Sequence, residues 1–234
     1  MTAAPTLIHT TDPAALAGKG RLVSTDPRDR RHMMRPREAA KTRTYRYWKP
    51  GAVLDQGNTP KCVAYSWLAL LLAGPVRNKK LPDVNWLYDE CQANDEWPGS
   101  SYDGTSVRAG AKVLQREGYL SEYIWAYDSD TVARWVLEHG PVVLGTDWLS
   151  GMDQADADGF IHAEGMNMGG HAYLATGVNL AKVCPDGSRG ALRIVNSWGT
   201  EYGQGGMVWL SLADAGRLIA QWGEAAAPKE LLRK

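Results

Sequence analysis

The chain has 234 residues, 44% of them hydrophobic and 22% charged, enough for one large domain or two small lobes. Its formal net charge is zero, which gives no electrostatic reason to expect nucleic acid or an anionic membrane as a partner. Cys62, Cys91 and Cys184 are too few and too widely spaced for a disulfide framework or a zinc site. We therefore expect no metal, no cofactor and a reducing, intracellular setting.

The opening stretch MTAAPTLIHTTDPAALAGKG lacks a basic start followed by an apolar core, so it does not read as a secretory signal. The longest apolar stretch, from about Val63 to Ala73, is too short to span a bilayer. Residues 1–42 form a distinct zone, crowded with arginine and lysine from Arg28 to Arg43 and poor in periodic apolar positions. It reads as a basic N-terminal extension that wraps, docks or stays mobile. A solvated arm is the plainer reading and an inhibitory segment the sharper one.

An organised domain is expected over 43–234, beginning near Tyr45. The run CVAYSWLALLLAG is apolar on nearly every side and predicts a buried helix from Cys62, closed by Gly74-Pro75. A second helix is expected over DVNWLYDECQA with Asp83 as its cap. A third runs from about Ser106 to Glu117 and stops at Gly118, and a fourth covers about Asp130 to Glu138. After Pro141 the texture changes to short β-branched and aromatic runs: PVVLGTDW, GFIHAE, HAYLATGVNLA, ALRIVNSW and GMVWLSL. Helices first and strands second argue for an α+β fold with two lobes, a helical one over about 55–130 and a β-rich one over about 131–225.

Cys62 sits where a turn-rich loop, DQGNTPK, meets that first helix. Unpaired N–H groups and the helix dipole at such a start favour a thiolate. A buried structural cysteine is the commoner reading of this local context. A nucleophile needs a base. Of the histidines, His9 and His32 lie in the extension, His139 ends a helix, and His162 falls in GFIHAE. His171 follows two glycines and opens an apolar strand, where a hydrogen-bonded core histidine is the plain alternative. Asn196 ends another apolar strand, followed by Ser197 and Trp198. An amide oxygen there could accept an imidazole N–H and leave the other ring nitrogen for a thiol.

Taken together, QGNTPKC, GGHAYLATGV and NSWGTEYGQGGMVWL, in the order Gln, Cys, His, Asn, resemble the papain family of cysteine peptidases over roughly residues 45–225. The resemblance implies a two-lobed papain-like fold, with a helical lobe carrying the cysteine and a β-barrel-like lobe carrying the histidine and asparagine. It implies a thiol protease acting on a protein or peptide substrate. Cys62, His171 and Asn196 would be catalytic, and Gln56 with the Cys62 backbone N–H would form the oxyanion hole. Trp198 would shield the His–Asn contact. Asp103, Gly104 and Gly170 would bind substrate. The chain departs from the family at Val63, which replaces the usual tryptophan, and at Thr59, which replaces a cysteine. SSYDGTS stands where a Gly-Gly segment is usual. The rival expectations are a transpeptidase or ligase with the same triad, and a silent binding module whose cleft is filled by tryptophans such as Trp148. DQADADGFIHAEG mimics a calcium loop around Asp156, Asp158 and Gly159 but lacks the bidentate glutamate, and is read as a surface loop.

Overall fold

The apolar run after Lys61 forms helix α1, Cys62–Leu72, with most of its circumference buried. It ends where Ala73 turns extended ahead of Gly74-Pro75. Asp83 caps α2, Val84–Asn94, by accepting from the N–H groups of Asn85 and Trp86 at 2.9 and 3.0 Å. Ser106 caps α3, Val107–Arg116, and Asp128 caps α4, Ser129–Glu138. These side chains satisfy N–H groups that a helix start leaves unpaired. The computed structural model describes residues 18–36, 43–97 and 99–234. Residues 1–17, including His9, and 37–42 of the extension lie outside it.

The strands are β1 (Tyr45–Tyr47), β2 (Tyr123–Ala126), β3 (Val142–Leu149), β4 (Asn167–Val183), β5 (Arg189–Val195), β6 (Met207–Ser211) and β7 (Glu224–Pro228). They form one antiparallel sheet in the order β2-β7-β3-β4-β5-β6, with β1 paired to the long β4. The sheet is thus wider than the expected β-rich lobe, reaching back to β2 and forward to Pro228. Two features differ from the sequence reading. GFIHAE is a loop with one bridge, Phe160 to Trp209, because Asp156 accepts from the N–H groups of Asp158 and Phe160 and curls the chain. Helix α5, Leu212–Ala220, and strand β7 follow the last expected strand.

Alternation along the strands produces two cores, one on each face of the sheet. Val142, Leu144, Tyr173 and Ala175 pack with α4 and α5. Val143, Ala172, Leu174 and Ala226 pack with α1 and α3. Within the second core, Gly110 of α3 lies against the fully buried Trp67, where an added Cβ would stand 2.3 Å from Cδ1. Gly110→Ala is expected to lose about 1–3 kcal/mol through overpacking, read as a lower denaturation midpoint. Among the described residues no helix is long and apolar enough to cross a membrane.

The described part of the extension is docked, so the solvated-arm reading does not hold for it. Gly18 to Leu22 runs as a strap between the helical side and the sheet. Beyond it, Asp29 pairs with Arg108 of α3, whose Nε donates to Ser24 Oγ at 3.0 Å and whose guanidinium lies 4.9 Å from the Trp125 ring. Met33 bridges to Trp125, and Met34 enters the core. Arg28, Arg30 and Arg31 remain exposed.

Candidate active site

Cys62 is the first residue of α1 and is completely buried. The backbone N–H groups of Ala172, Val63 and Cys62 itself face its sulfur and favour thiolate. Burial outweighs them and pushes the thiol up to about 12. Ala172 follows His171 in β4, so the strand that carries the imidazole also lays an N–H against the sulfur.

His171 is also completely buried, and its Nε2 lies 2.8 Å from Asn196 Oδ1. That oxygen already accepts from the Ser197 N–H at 2.8 Å, so it is an acceptor, and Nε2–H is the donor. Neutral His171 therefore carries its lone pair on Nδ1, which has no hydrogen-bond partner among the described residues. The ring lies in an aromatic cage. Trp198 sits 4.9 Å away, tilted by 31°, and Trp148 meets it edge-on at 4.8 Å. Trp198 thus packs on the ring. Trp148 does not fill the cleft: its Nε1 donates to Asp153 at 2.7 Å and its ring backs His171.

Gln56 is buried, donating to the Thr59 carbonyl at 2.7 Å and accepting from Ser197 Oγ at 2.6 Å. Its carboxamide retains a second N–H. Asp55 bridges to Trp198, and the Gly199 N–H donates to Leu54 O at 3.0 Å. The loop before Cys62 is thereby stitched to the asparagine segment, which fixes the two halves of the site against each other.

The strap crosses this site. The N–H groups of Gly20 and Arg21 both donate to Gly170 O at 3.0 Å. On the other side the Thr105 N–H donates to Gly20 O, and the Leu22 N–H to Thr105 O, each at 2.9 Å. The bridge between Arg21 and Thr105 is parallel. Contact is close enough to require glycine: a Cβ on Gly20 would stand 2.2 Å from Pro60 O, and one on Gly170 would stand 2.1 Å from Arg21 O. Lys19 lies 5.6 Å from the Trp198 ring. Of the expected substrate-binding residues, Gly170 and Gly104 touch the strap, while Asp103 is exposed. Gly104 uses its own N–H on Tyr88 Oη at 2.8 Å, so Thr105 is the residue that pairs.

Solved structures were compared with this architecture. The cysteine protease xylellain from Xylella fastidiosa matches with a TM-score of 0.68 and 18% identity, over 93% of this chain and 97% of its own. The chain has a papain-like fold. A digestive procathepsin L2 proteinase from Tenebrio molitor larval midgut has a TM-score of 0.63 and 16% identity, over 95% and 81% of the two chains. A procathepsin B from Trypanosoma congolense has a TM-score of 0.63 and 12% identity, over 92% and 87%. No protein-family model and no curated protein sequence matches the chain.

Within the papain-like fold, Cys91 and Cys184 are free and buried away from this chemistry. Asp156 spends its carboxylate on the Asp158 and Phe160 N–H groups and on His162 at 2.9 Å. Sequence reasoning missed Thr105, Trp148 as a wall of the cage, Ser197 as a holder of Gln56, and Glu224. A lone charge at the head of the alanine run EAAAP was the available signal for the last.

Two buried groups here give opposite pH dependences. Burial, aided by Lys19 and opposed by Asn196, pushes His171 down to about 3 from 6.5. Its stability contribution is present above the unfolded value and is lost as pH falls through this window. Burial, opposed by Arg21, pushes Glu224 up to about 7 from 4.5. The folded state takes up that proton first, so acidification from 7 to 4.5 stabilises. The denaturation midpoint is expected to change little between pH 6.5 and 4.5 and to fall below 4.5. In Glu224→Gln the fall should begin near 6.5.

Proposed function

We propose that the chain is a cysteine peptidase that cleaves peptide or isopeptide bonds, and that residues 18–22 hold it shut. The observation that carries the reading is the oriented imidazole: Nε2–H fixed on Asn196, Nδ1 unpaired, and the next N–H in the strand on the Cys62 sulfur. Once the strap leaves, Nδ1 takes the thiol proton and the sulfur attacks the scissile carbonyl. The oxyanion is met by the Cys62 N–H and the spare Gln56 N–H. His171 then returns the proton to the departing amine, leaving a thioester. Water attacks the thioester, its proton passes to His171, and the acid is released with regeneration of the thiol. Neighbours described as cysteine proteases and as pro-forms support both parts of the reading.

The filled cleft favours a second reading, a catalytically silent module. Full-length Gly20→Val protein, incubated with a diverse peptide library and read by mass spectrometry, separates the two. Cleavage that disappears on adding Cys62→Ala supports the peptidase. An intact library with a folded protein supports the module. Transfer of the acyl group to an added amine in preference to water would make it a transpeptidase.

A further inference from the structure

Strands β1, β4, β5 and β6 carry four cations, Arg46, Lys182, Arg189 and Arg193, and no carboxylate. None of the four forms an ion pair among the described residues. Three of them lie against aromatic rings instead. Arg46 stands 4.0 Å from the Trp48 ring, Arg193 5.7 Å from Tyr47, and Lys182 4.6 Å from Trp209. A cation held on a ring face keeps its full charge and its outward N–H groups. The zero net charge of the whole chain therefore conceals a local positive surface.

Sheet register sets these groups in a row. Tyr47 pairs with Gly177 of β4, Gly177 with Arg193 of β5, and Arg193 with Trp209 of β6. Position 177 must be glycine for the Tyr47 ring to lie across β4, since a Cβ there would stand 2.7 Å from Tyr47 Cδ1. Tyr47 meets Trp209 edge-on at 5.9 Å, and Tyr45 lies 5.6 Å from Tyr47. Tyr45 and Tyr47 are 58% and 40% exposed, a large ring area left to solvent. The row ends on an open sheet edge. The Leu180 N–H donates to Thr44 O at 2.8 Å and the Trp48 N–H to Thr176 O at 2.9 Å. Antiparallel bonding alternates along a strand, so the N–H and C=O groups of Tyr45 and Tyr47 face away from β4. Among the described residues β1 pairs with no second strand.

We propose that this edge and its aromatic row bind an extended acidic segment of another polypeptide, added as a strand against β1. The outward N–H and C=O groups of Tyr45 and Tyr47 match a second backbone in register. They favour a polypeptide over a single-stranded nucleic acid, for which rings and cations alone would serve. Side chains of the added strand alternate between two faces. Those on one face meet the tyrosine rings and Arg193, and those on the other meet Arg46. Carboxylates at every second position thus find a cation on either face. The surface is separate from the cleft: His171 and Gly177 both lie in β4, about 20 Å apart along the strand. Binding here does not depend on the peptidase reading.

The test measures fluorescence anisotropy with the full-length Cys62→Ala protein, which leaves the probe intact. The probe is a labelled decapeptide of alternating glutamate and valine. It is expected to bind about tenfold more tightly than the same peptide with glutamine in place of glutamate. Tyr45→Pro leaves the β1–β4 ladder in place, because the N–H it removes faces outward, and should weaken binding about tenfold by blocking strand addition. Arg46→Gln combined with Arg193→Gln should weaken it to a similar degree, with the denaturation midpoint read alongside. If the proline variant does not fold, the probe N-methylated at alternate residues reads the same edge from the ligand side, and should also bind about tenfold more weakly. Equal binding of the glutamate and glutamine peptides, or binding indifferent to these changes, overturns the proposal. So does tighter binding of oligothymidylate at the same residues, which would make the surface a nucleic-acid site. Self-association of the chain through β1, seen by sedimentation and abolished by Tyr45→Pro, without peptide binding, overturns it as well.

Discussion

Iodoacetamide at neutral pH should alkylate Cys62 about a thousandfold faster in full-length Gly20→Val than in the unaltered protein, because the reactive species is the thiolate. In the closed structure the thiol is pushed up to about 12, so only about one molecule in ten to a hundred thousand carries a thiolate at neutral pH. Burial is the cause: Cys62 and His171 are both sealed from water, and although Lys19 of the strap opposes an imidazolium, Lys19 and Arg21 both favour a thiolate without offsetting that burial. A valine at position 20 cannot occupy the groove, since even a Cβ would overlap the Pro60 carbonyl. Expelling the strap rehydrates the sulfur and lowers its pKa toward the ordinary cysteine value, a gain that exceeds the loss of the favourable Lys19 and Arg21 charges because burial is the largest influence on the thiol. The pH profile provides the check. The rate for the unaltered protein should climb about tenfold per unit through the alkaline range without levelling, whereas that of Gly20→Val should level below about pH 9. Equal rates in the two proteins would mean that the strap does not close the site.

In the Gly20→Val background, Gln56→Ala is expected to lower kcat about a hundred- to a thousandfold, the usual effect of removing one oxyanion donor. Gln56 also has a structural role, since it ties Thr59 to Ser197. Ser197→Ala separates the two contributions. It removes the hydroxyl from which Gln56 accepts but leaves both Gln56 N–H groups in place. If the donor is what matters, Ser197→Ala keeps most of the kcat that Gln56→Ala loses. If bracing of the loop dominates, the two variants lose kcat and denaturation midpoint together.

The sequence is most legible where local chemistry and tertiary structure agree. The caps at Asp83 and Ser106 and the all-apolar run after Cys62 announce their helices because each satisfies a local rule that packing then reinforces. His171, Asn196 and Trp198 stand together, and it was the resemblance of their motifs, not their spacing, that singled them out. What was hidden depended on partners far away. Ala225, Ala226 and Ala227 have no strand preference of their own, and become β7 because β2 and β3 supply pairing on both sides. GFIHAE has strand-like residues, yet the side chain of Asp156 captures its backbone first. Glu224 reads as an ordinary surface charge until Arg21 is brought to it from the other end of the chain. The docking of the extension is equally non-local: the small residues of GKGR give no periodic signal, and their value lies in the groove they fit.

Among the described residues the strap is moored downstream of the groove, by Asp29 on Arg108 and by Met34 in the core. Gly18 to Leu22 therefore acts as a competitor that cannot diffuse away. A short leash of this kind maintains a local concentration of about a millimolar, whatever the concentration of the bulk solution. Dilution cannot relieve such a block, and a substrate must outcompete it in every catalytic cycle. A single cut between Leu22 and Ser24 severs this mooring, and closure then loses the advantage of the leash.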